Sequence, residues 1–320
     1  MARTPVRALA LMSPGLDGAL AARLLLDQGV VVEAVHFATG FARSAPPARF
    51  GVPVEERDVR ADYLRDVVAH PRFGTGAGAN PCLDCKIFLM RRAAAEAQAR
   101  GAGLVCTGEV LGQDGMSQRR EWLLRTPREA GIEGRVLRPL SAQLLPETAA
   151  EREGRVDRTR LAAAHGRRRS VQAALAVRFG LGEAAVSAGG CCRLPERAFA
   201  ARVRDLLAHR RAEEIGPADL EVLHLGRHFR LGPGVKAVVA RNEEEGGRLE
   251  TLSGEGTTAR AGRAVVWLDG DPAGETEARA ASLAAHYGGA SQVSFARGQR
   301  ARVVLARPVE GAWLEACRVL

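Results

Sequence analysis

The chain has 320 residues, 46% of them hydrophobic and 26% charged, which excludes a disordered protein and predicts two domains. No apolar run has the length of a transmembrane helix, and Ala8–Met12 is too short for a signal-peptide core, so we expect a cytoplasmic protein without a membrane partner. The net charge is +9, and 44 of the 46 cations are arginine, because Lys86 and Lys236 are the only lysines.

Strands and helices alternate in the first part of the chain. Apolar and β-branched runs predict strands at Ala8–Met12, Val30–Phe37, Val52–Val59 and Gly103–Thr107. Helical composition lies between them, at Ala19–Gln28, Ala61–Val68 and Ile87–Gln98. This alternation predicts an α/β fold, a parallel twisted sheet with helices on both faces.

A basic helical segment follows. Between Arg152 and Arg211 there are fourteen arginines and five acidic residues, and helices are predicted at Val156–Phe179 and Pro195–His209. The segment is either a face that binds RNA or DNA or a merely solvated helical surface.

The texture changes beyond Pro217. Helical Ala278–His286 lies near the end, and short apolar runs stand between Gly-rich turns, at Val222–Leu225, Val235–Ala240 and Ala264–Leu268. We expect a first domain over residues 1–212, which includes the basic segment 152–211, and a small α+β domain over residues 213–320.

The turn between the first strand and the first helix reads Ser13-Pro14-Gly15-Leu16-Asp17-Gly18. A glycine-containing turn there aims backbone N–H groups and the positive end of the helix at an anion, typically phosphate. On spacing alone the pattern favours a plain strand-to-helix turn.

Six cysteines occur, and their spacing is more informative than their number. Cys82 and Cys85 form a C-x-x-C at the start of a predicted helix, and Cys191 and Cys192 are adjacent. In a reducing compartment this pattern indicates metal, cluster or sulfur chemistry, and two unreactive thiols are the alternative. Cys106, inside a strand, is expected to be a buried apolar residue.

Polar residues follow the strand that ends at Thr107. The polar ones are Glu109, Gln113 and Gln118, and Gly108 comes directly before them, within a T-G-E-x-L-G-Q…S-Q string. Open α/β sheets bind their ligands just beyond the carboxyl ends of such strands. We therefore expect these residues to line a ligand site.

Together these motifs resemble the PP-loop ATP pyrophosphatases, and within them the tRNA thiouridine synthases. The resemblance covers about residues 7–210 and is most specific at the Asn80-Pro81-Cys82-x-x-Cys85 string and the Thr107–Gln118 segment, with Arg138-Pro139-Leu140 also in place. It implies that ATP and Mg²⁺ adenylate a uridine carbonyl of tRNA, after which sulfur displaces AMP. Two departures weaken the ATP inference: Pro14 stands where the family has glycine, and Gly18 where it has serine.

The resemblance also assigns roles to individual residues. Asp17, Cys85 and Cys191 would be catalytic. The ATP site would be formed by Ser13, Gly15, Leu16, Asp17, Gly18, His36, Gly108, Glu109 and Gln113. The tRNA would be contacted by Gln118, Arg167, Arg168 and Arg169.

Three roles for these thiols stay open at this stage. Cys82, Cys85 and Cys191 would hold a [4Fe–4S] cluster, with Cys192 as a possible substitute for Cys191. Alternatively, the active cysteines carry a persulfide, or the thiols bind zinc. A sulfur donor, either sulfide or a cysteine desulfurase, is an expected partner.

The C-terminal part resembles the RNA-binding module of NFACT proteins, notably at Gly226–Phe229 and Val239–Glu243. Trp122, Trp267 and Trp313 do not cluster with basic residues, so no base-stacking platform is expected from them. The sequence thus predicts a tRNA thiouridine synthase, and two other functions stay open. One is a PP-loop sulfur enzyme for a small molecule, and the other is a non-catalytic RNA-binding protein with a degenerate PP-loop.

Overall fold

The computed structural model describes residues 6–43, 52–181, 190–253, 256–309 and 311–320. Of the cysteine-containing Ser187–Cys192 motif, residues 187–189 lie outside these ranges. Contacts between Cα atoms divide the chain into two compact units. The first comprises Met1–Gly76 with Pro81–Arg193, and the second Ala77–Asn80 with Leu194–Leu320.

The first unit is built on a five-stranded parallel sheet. Its strands are β1 (Arg7–Leu11), β2 (Val31–Ala38), β3 (Val54–Asp58), β4 (Leu104–Thr107) and β5 (Val136–Leu137). Its helices are α1 (Leu16–Leu26), α2 (Arg60–Tyr63), which continues as a π-helical turn over Leu64–Val68, α3 (Cys82–Ala99), α4 (Arg120–Glu129), α5 (Ala149–Arg152) and α6 (Ser170–Arg178). Short 3₁₀ turns lie at Met116–Gln118, Ala142–Leu144 and Arg158–Arg160.

The strand order is β3-β2-β1-β4-β5, and every pairing is parallel. The parallel α/β sheet expected from the sequence is therefore confirmed. Because the order reverses between β1 and β4, right-handed crossovers put α1 and α3 on opposite faces. The helix α3 begins at Cys82, so both cysteines of the C-x-x-C lie in its first turn, as the sequence predicted.

The predicted helix Val156–Phe179 is wrong over most of its length, because only α6 forms. The residues before α6 bond instead to the segments that follow β5 and β4. The N–H of Ala164 donates to Leu140 O, and that of Gly166 to Leu111 O, both at 2.7 Å. Gly166 has a φ of 71°, which breaks the helical path. Helical composition alone does not reveal these long-range bonds.

The second unit is built on a six-stranded antiparallel sheet with the order β11-β10-β8-β9-β7-β6. Its strands are β6 (Arg227–Gly232), β7 (Val235–Val239), β8 (Thr257–Ala261), β9 (Ala264–Asp269), β10 (Gln292–Arg297) and β11 (Arg300–Leu305). Its helices are α7 (Arg197–His209), α8 (Pro217–Val222), α9 (Glu243–Ser253), α10 (Glu275–Gly288) and α11 (Gly311–Cys317), with a 3₁₀ turn at Ala212–Glu214. Leu283 of α10 belongs to one apolar cluster of this sheet, and Leu249 of α9 to another.

The division by contacts falls before α7, whereas the sequence analysis put the domain boundary after residue 212. Asp205 of α7 accepts a hydrogen bond of 2.7 Å from Arg230 Nη2 and lies 2.8 Å from Nζ of Lys236. Arg202 donates to the carbonyl of Leu223. These polar contacts attach α7 to the C-terminal sheet.

The short apolar run Val222–Leu225 does not form a strand. Val222 ends α8, and a turn follows it. Pro217 occupies the first turn of this helix, where its fixed φ is favourable. Short apolar runs do not distinguish a strand from a buried helical turn.

Within the described part of the chain, no helix is both long and apolar enough to cross a bilayer.

The loop after β4 meets the start of α1 at Gly108. A Cβ atom on Gly108 would lie 2.3 Å from the backbone N of Gly18 and 2.5 Å from the carbonyl carbon of Asp17. Because both neighbours are backbone atoms, they cannot swing away. The Ser13–Gly18 turn and the Thr107–Gln118 segment, far apart in sequence, therefore touch.

We expect Gly108→Ala to lower the free energy of unfolding by at least about 1–3 kcal/mol, because the methyl group overlaps a rigid backbone. Gly103→Ala is the matched control, since a Cβ atom there has nothing within 4 Å. Urea unfolding of both variants measures the difference. Equal midpoints would contradict the close approach.

Candidate functional site

The carboxyl ends of β1 and β4 form the point where the strand order reverses. In open parallel sheets, ligands bind at this crevice. Gly15 is the N-cap of α1 and gives the first turn no side-chain cap, and no side chain of the described residues hydrogen-bonds to the N–H groups of that turn. The backbone N–H groups of that turn are therefore available to an acceptor.

Asp17, in this first turn, is the centre of a hydrogen-bond network. Its carboxylate accepts from Arg169 Nη2 and from Gln113 Nε2, each at 2.7 Å. Gln113 Oε1 in turn accepts from Gln172 Nε2 at 2.7 Å. The structure thus brings together Asp17, Gln113 and Arg169, which the sequence had assigned to three roles. Gln172, fully buried in α6, was missed.

Two atoms of this network have no hydrogen-bond partner among the residues that the structure describes. They are Nε of Arg169 and Oε1 of Gln172, both buried. Next to them, Arg167 and Arg168 are exposed, and neither forms a hydrogen bond or an ion pair with the residues that the structure describes. The network around Asp17 therefore contains buried polar atoms without partners, and two exposed arginines directly precede Arg169 in the sequence.

Two of the other expected ATP contacts, Leu16 and His36, and the expected tRNA contact Gln118 have structural roles. The Leu16 side chain lies in the apolar core, so only its backbone can face a ligand. His36 is buried, and its Nδ1 lies 3.0 Å from the carbonyl oxygen of Met12. Gln118 closes its own loop: its carbonyl accepts from the N–H of Gly112 and its Oε1 from that of Asp114.

Glu109 is an internal anchor. Its carboxylate lies 2.7 Å from Lys86 Nζ and 2.8 Å from Arg138 Nε, and it accepts a hydrogen bond from Thr107 Oγ1. Burial disfavours its charge, but Lys86 and Arg138 outweigh burial and lower the pKa of Glu109 to about 2. Glu109 therefore stays ionised and ties β4 to α3 and to the residue after β5.

The cysteine segment at residues 191–192 is held beside the strand end of β2. The N–H of Arg193 donates to Phe41 O at 2.9 Å, and Ala42 and Cys192 form an antiparallel bridge. The ring of Phe41 lies 5.8 Å from that of Tyr63.

Cys82, Cys85 and Cys191 lie close enough to influence one another's ionisation. Burial raises the pKa of the Cys85 thiol, and the charges of Cys191 and Cys82 raise it further, while Tyr63 and Lys86 lower it. A hydrogen bond from Cys192 lowers the pKa of Cys191 to about 7. Cys191, more than a hundred positions away in sequence, is thus near enough to Cys85 and to Lys86 to affect their shared electrostatics.

A metal site is not preformed there. Among the described residues, no group of three His, Cys, Asp or Glu side chains is arranged to hold a metal ion. The thiols as they stand therefore do not fit a zinc ion.

The antiparallel sheet of the second unit contains the other candidate region. His228 in β6 is buried, with Nε2 2.9 Å from Leu225 O, and Arg241 pairs with Glu245. Burial holds the pKa of His228 well below its usual value.

Residues 226–304 match the family model described as the NFACT protein RNA binding domain. The resemblance expected for the C-terminal part is therefore confirmed. No curated protein matches the chain.

The expectation that Trp122 has no basic neighbours is wrong. The guanidinium carbon of Arg125 lies 4.8 Å from the centre of the Trp122 ring. The two residues are three apart on one helix, so spacing could have indicated the contact. The ring of Phe73, from a distant loop, lies 5.3 Å from that of Trp122, and no sequence pattern indicates this pairing.

We expect Glu109→Gln to destabilise the protein by about 3–5 kcal/mol, because it leaves Lys86 and Arg138 buried without their counter-charge. The control is Glu133→Gln, which removes a solvent-exposed pair with Arg128 and should therefore change the stability far less. Urea unfolding measures both.

The effect of Glu109 should also depend on pH. The pKa of Glu109 is lowered from 4.5 to about 2 in the folded protein. Its contribution to the free energy of unfolding is therefore complete above about pH 5 and is lost as the pH falls from about 5 to about 2. The difference in free energy of unfolding between the wild type and Glu109→Gln should therefore become smaller as the pH falls. A difference that does not change with pH would contradict the ion-pair assignment.

Proposed function

We propose that the protein is an ATP-dependent tRNA sulfurtransferase, which adenylates a uridine carbonyl and replaces its oxygen with sulfur. One observation carries the proposal: a single loop after β4 joins both halves of the chemistry. Gly108 packs against the first turn of α1, and the next residue, Glu109, is bonded to Lys86 on the cysteine-bearing helix. A nucleotide at α1 and sulfur on the thiols would therefore meet at one rim of the sheet.

In the first step the uridine carbonyl oxygen attacks the α-phosphorus of ATP, and pyrophosphate leaves. Backbone N–H groups at the start of α1 would hold the phosphates, with Ser13 and Gly15 in the preceding turn. Both oxygens of Asp17 already accept hydrogen bonds, so Mg²⁺ there would have to displace Arg169 or Gln113. No step here depends on that ion, because the Arg169 guanidinium can itself balance phosphate charge.

In the second step the terminal sulfur of a persulfide on Cys191 or Cys85 attacks the activated ring carbon, and AMP leaves with the former carbonyl oxygen. The other cysteine then attacks the carrier sulfur, which forms a disulfide and releases the thiouridine. A cysteine desulfurase supplies the persulfide by passing the outer sulfur of its own persulfide to the cysteine thiol, and a cellular dithiol reduces the disulfide. Lys86 stabilises the thiolates in this scheme.

The cluster expected from the family resemblance is kept as a separate proposal. Cys82, Cys85 and Cys191 would be its ligands. Because they are not arranged around a metal ion as they stand, no step above passes through it. Anaerobic purification with iron and sulfide quantitation tests the cluster, and a Cys85→Ala variant with normal iron content would exclude this ligand set.

RNA as the substrate is supported by the second unit and by two arginines of the first. The family matched by residues 226–304 is described as RNA binding. Much of the basic segment is neutralised internally, since Arg158, Arg160 and Arg178 all form ion pairs. Arg167 and Arg168 are exposed and form no ion pair with the described residues, so they are our candidates for phosphate contacts.

A non-catalytic RNA-binding protein is the second candidate. Three observations favour it: Pro14 has no N–H to offer a phosphate, Gly18 has no hydroxyl, and Arg169 occupies Asp17. Catalysis and simple binding are separated by ATP turnover.

We expect tRNA-dependent exchange of labelled pyrophosphate into ATP for the wild type. Asp17→Asn should reduce the exchange about 10- to 100-fold, because it removes the carboxylate that holds Arg169 and Gln113 at the start of α1. Normal folding of the variant is checked by circular dichroism. No exchange by the wild type at any tRNA concentration would favour the non-catalytic candidate.

Thiouridine should be absent from the tRNA of cells that lack the protein. The wild type should restore it, Cys191→Ala should not, and Cys317→Ala in the second unit should restore it fully. Nucleoside analysis by mass spectrometry measures the outcome. Unchanged thiouridine without the protein would refute the assignment.

Binding to tRNA should weaken steeply with salt. Each phosphate contact contributes about 0.7–0.9 to the slope of log K against log salt concentration. The double variant Arg167→Ala, Arg168→Ala should therefore lower the slope by about 1.4–1.8. The control is Arg128→Ala with Glu133→Ala, which removes an exposed ion pair without a change of net charge. An unchanged slope in the arginine variant would remove both residues from the interface.

A further inference from the structure

Arg72, Phe73, Trp122 and Arg125 form a stack that we call the arginine–aromatic platform. The rings of Phe73 and Trp122 meet edge to face at 5.3 Å. The guanidinium carbon of Arg125 lies 5.3 Å from the Phe73 ring and 4.8 Å from the Trp122 ring, and that of Arg72 lies 4.8 Å from Phe73. All four residues belong to the first unit.

The platform is held in shape from one side. Glu129 accepts hydrogen bonds from Arg72 Nη1 at 3.0 Å and from Arg125 Nε at 3.3 Å. Its carboxylate is only 20% exposed, whereas the side chains of Arg72 and Arg125 are 62% and 43% exposed. Two long, flexible side chains are thus fixed with part of their surface open to solvent. The platform with Glu129 carries one net positive charge.

The platform is also tied to the thiols. Asp84, between Cys82 and Cys85 in the first turn of α3, accepts a hydrogen bond of 3.0 Å from the backbone N–H of Phe73. A group stacked on the platform would therefore lie beside the helix turn that carries both cysteines.

Unpaired nucleobases stack on aromatic rings and on guanidinium planes, and in the platform the guanidinium groups lie over the rings. A paired base has both faces covered by its neighbours in the duplex, so it cannot use such a surface. The net positive charge suits a phosphate next to the base. The aromatic content of the chain is only 4%, so two large rings on one partly exposed site are a notable concentration.

We propose that the arginine–aromatic platform stacks an unpaired base of the RNA substrate next to the cysteine turn of α3. This inference rests on the proposed function, because it takes RNA to be the substrate. It adds a positioning role for Phe73 and Trp122, which present the RNA but do not react.

Trp122 itself reports on the contact. We expect single-stranded oligouridylate to quench tryptophan emission of the full-length protein, and the part of the quench that disappears in Trp122→Phe belongs to Trp122. A blunt RNA duplex of the same length should leave that part unchanged. The measurement needs neither ATP nor a sulfur donor, so it stands even if the protein makes no thiouridine.

Phe73 separates stacking from apolar packing. Phe73→Leu keeps an apolar side chain without a ring face, and it should weaken the affinity seen through Trp122 about 5- to 150-fold. Phe73→Tyr should restore it. Urea unfolding confirms that both variants are folded.

Three results would overturn the proposal. They are a Trp122 response to duplex as strong as that to single strands, a Phe73→Leu variant that binds like the wild type, and no Trp122 response to any RNA. The last result, together with normal thiouridine synthesis, would reject the platform while leaving the proposed function in place.

Discussion

The ionised carboxylate of Glu109 is the point on which the first unit depends. It lies on the loop after β4 and joins Lys86 of α3 to Arg138 beyond β5. A carboxylate in a nearly buried place is costly alone, and here two cations within hydrogen-bond distance compensate it. Because these cations come from separate elements, the same interaction fixes the cysteine helix relative to the sheet. The neighbouring residue Gly108 contacts the first turn of α1, which carries Asp17 and its hydrogen-bond network.

This arrangement explains why motifs so distant in sequence can cooperate. A parallel sheet gathers its loops at one rim, and the reversal of strand order leaves a crevice there. Hydrogen bonds and ion pairs between buried polar side chains then hold these loops in fixed positions relative to one another. The cysteines at residues 191–192 join the cluster by a different route, a short backbone pairing with residues 41–43.

The sequence predicted what depends on local pattern. Alternation of apolar runs identified four of the five parallel strands, and only the two-residue β5 had no signal of its own. Prediction from the sequence failed where contacts with residues distant in the chain decide the conformation. The residues before α6 are extended because they bond to the loop after β4 and to the segment after β5, and Phe73 meets Trp122 although nearly fifty positions separate them. Among the site residues, motif order pointed to Asp17, Gln113 and the cysteines. Gln172, Tyr63 and Lys86 act through contacts that no spacing rule reveals.

Both lysines of the chain are withdrawn from solvent: Lys86 is paired with Glu109, and Lys236 with Asp205, with 16% and 3% of their side chains exposed. The solvent-facing positive side chains are therefore guanidinium groups, which keep their proton throughout the range in which proteins fold. The attraction of this surface for polyanions should hence vary little between neutral and alkaline solution. Acylation of lysine amines, whether by an enzyme or by a chemical reagent, has little to act on and cannot switch that attraction off.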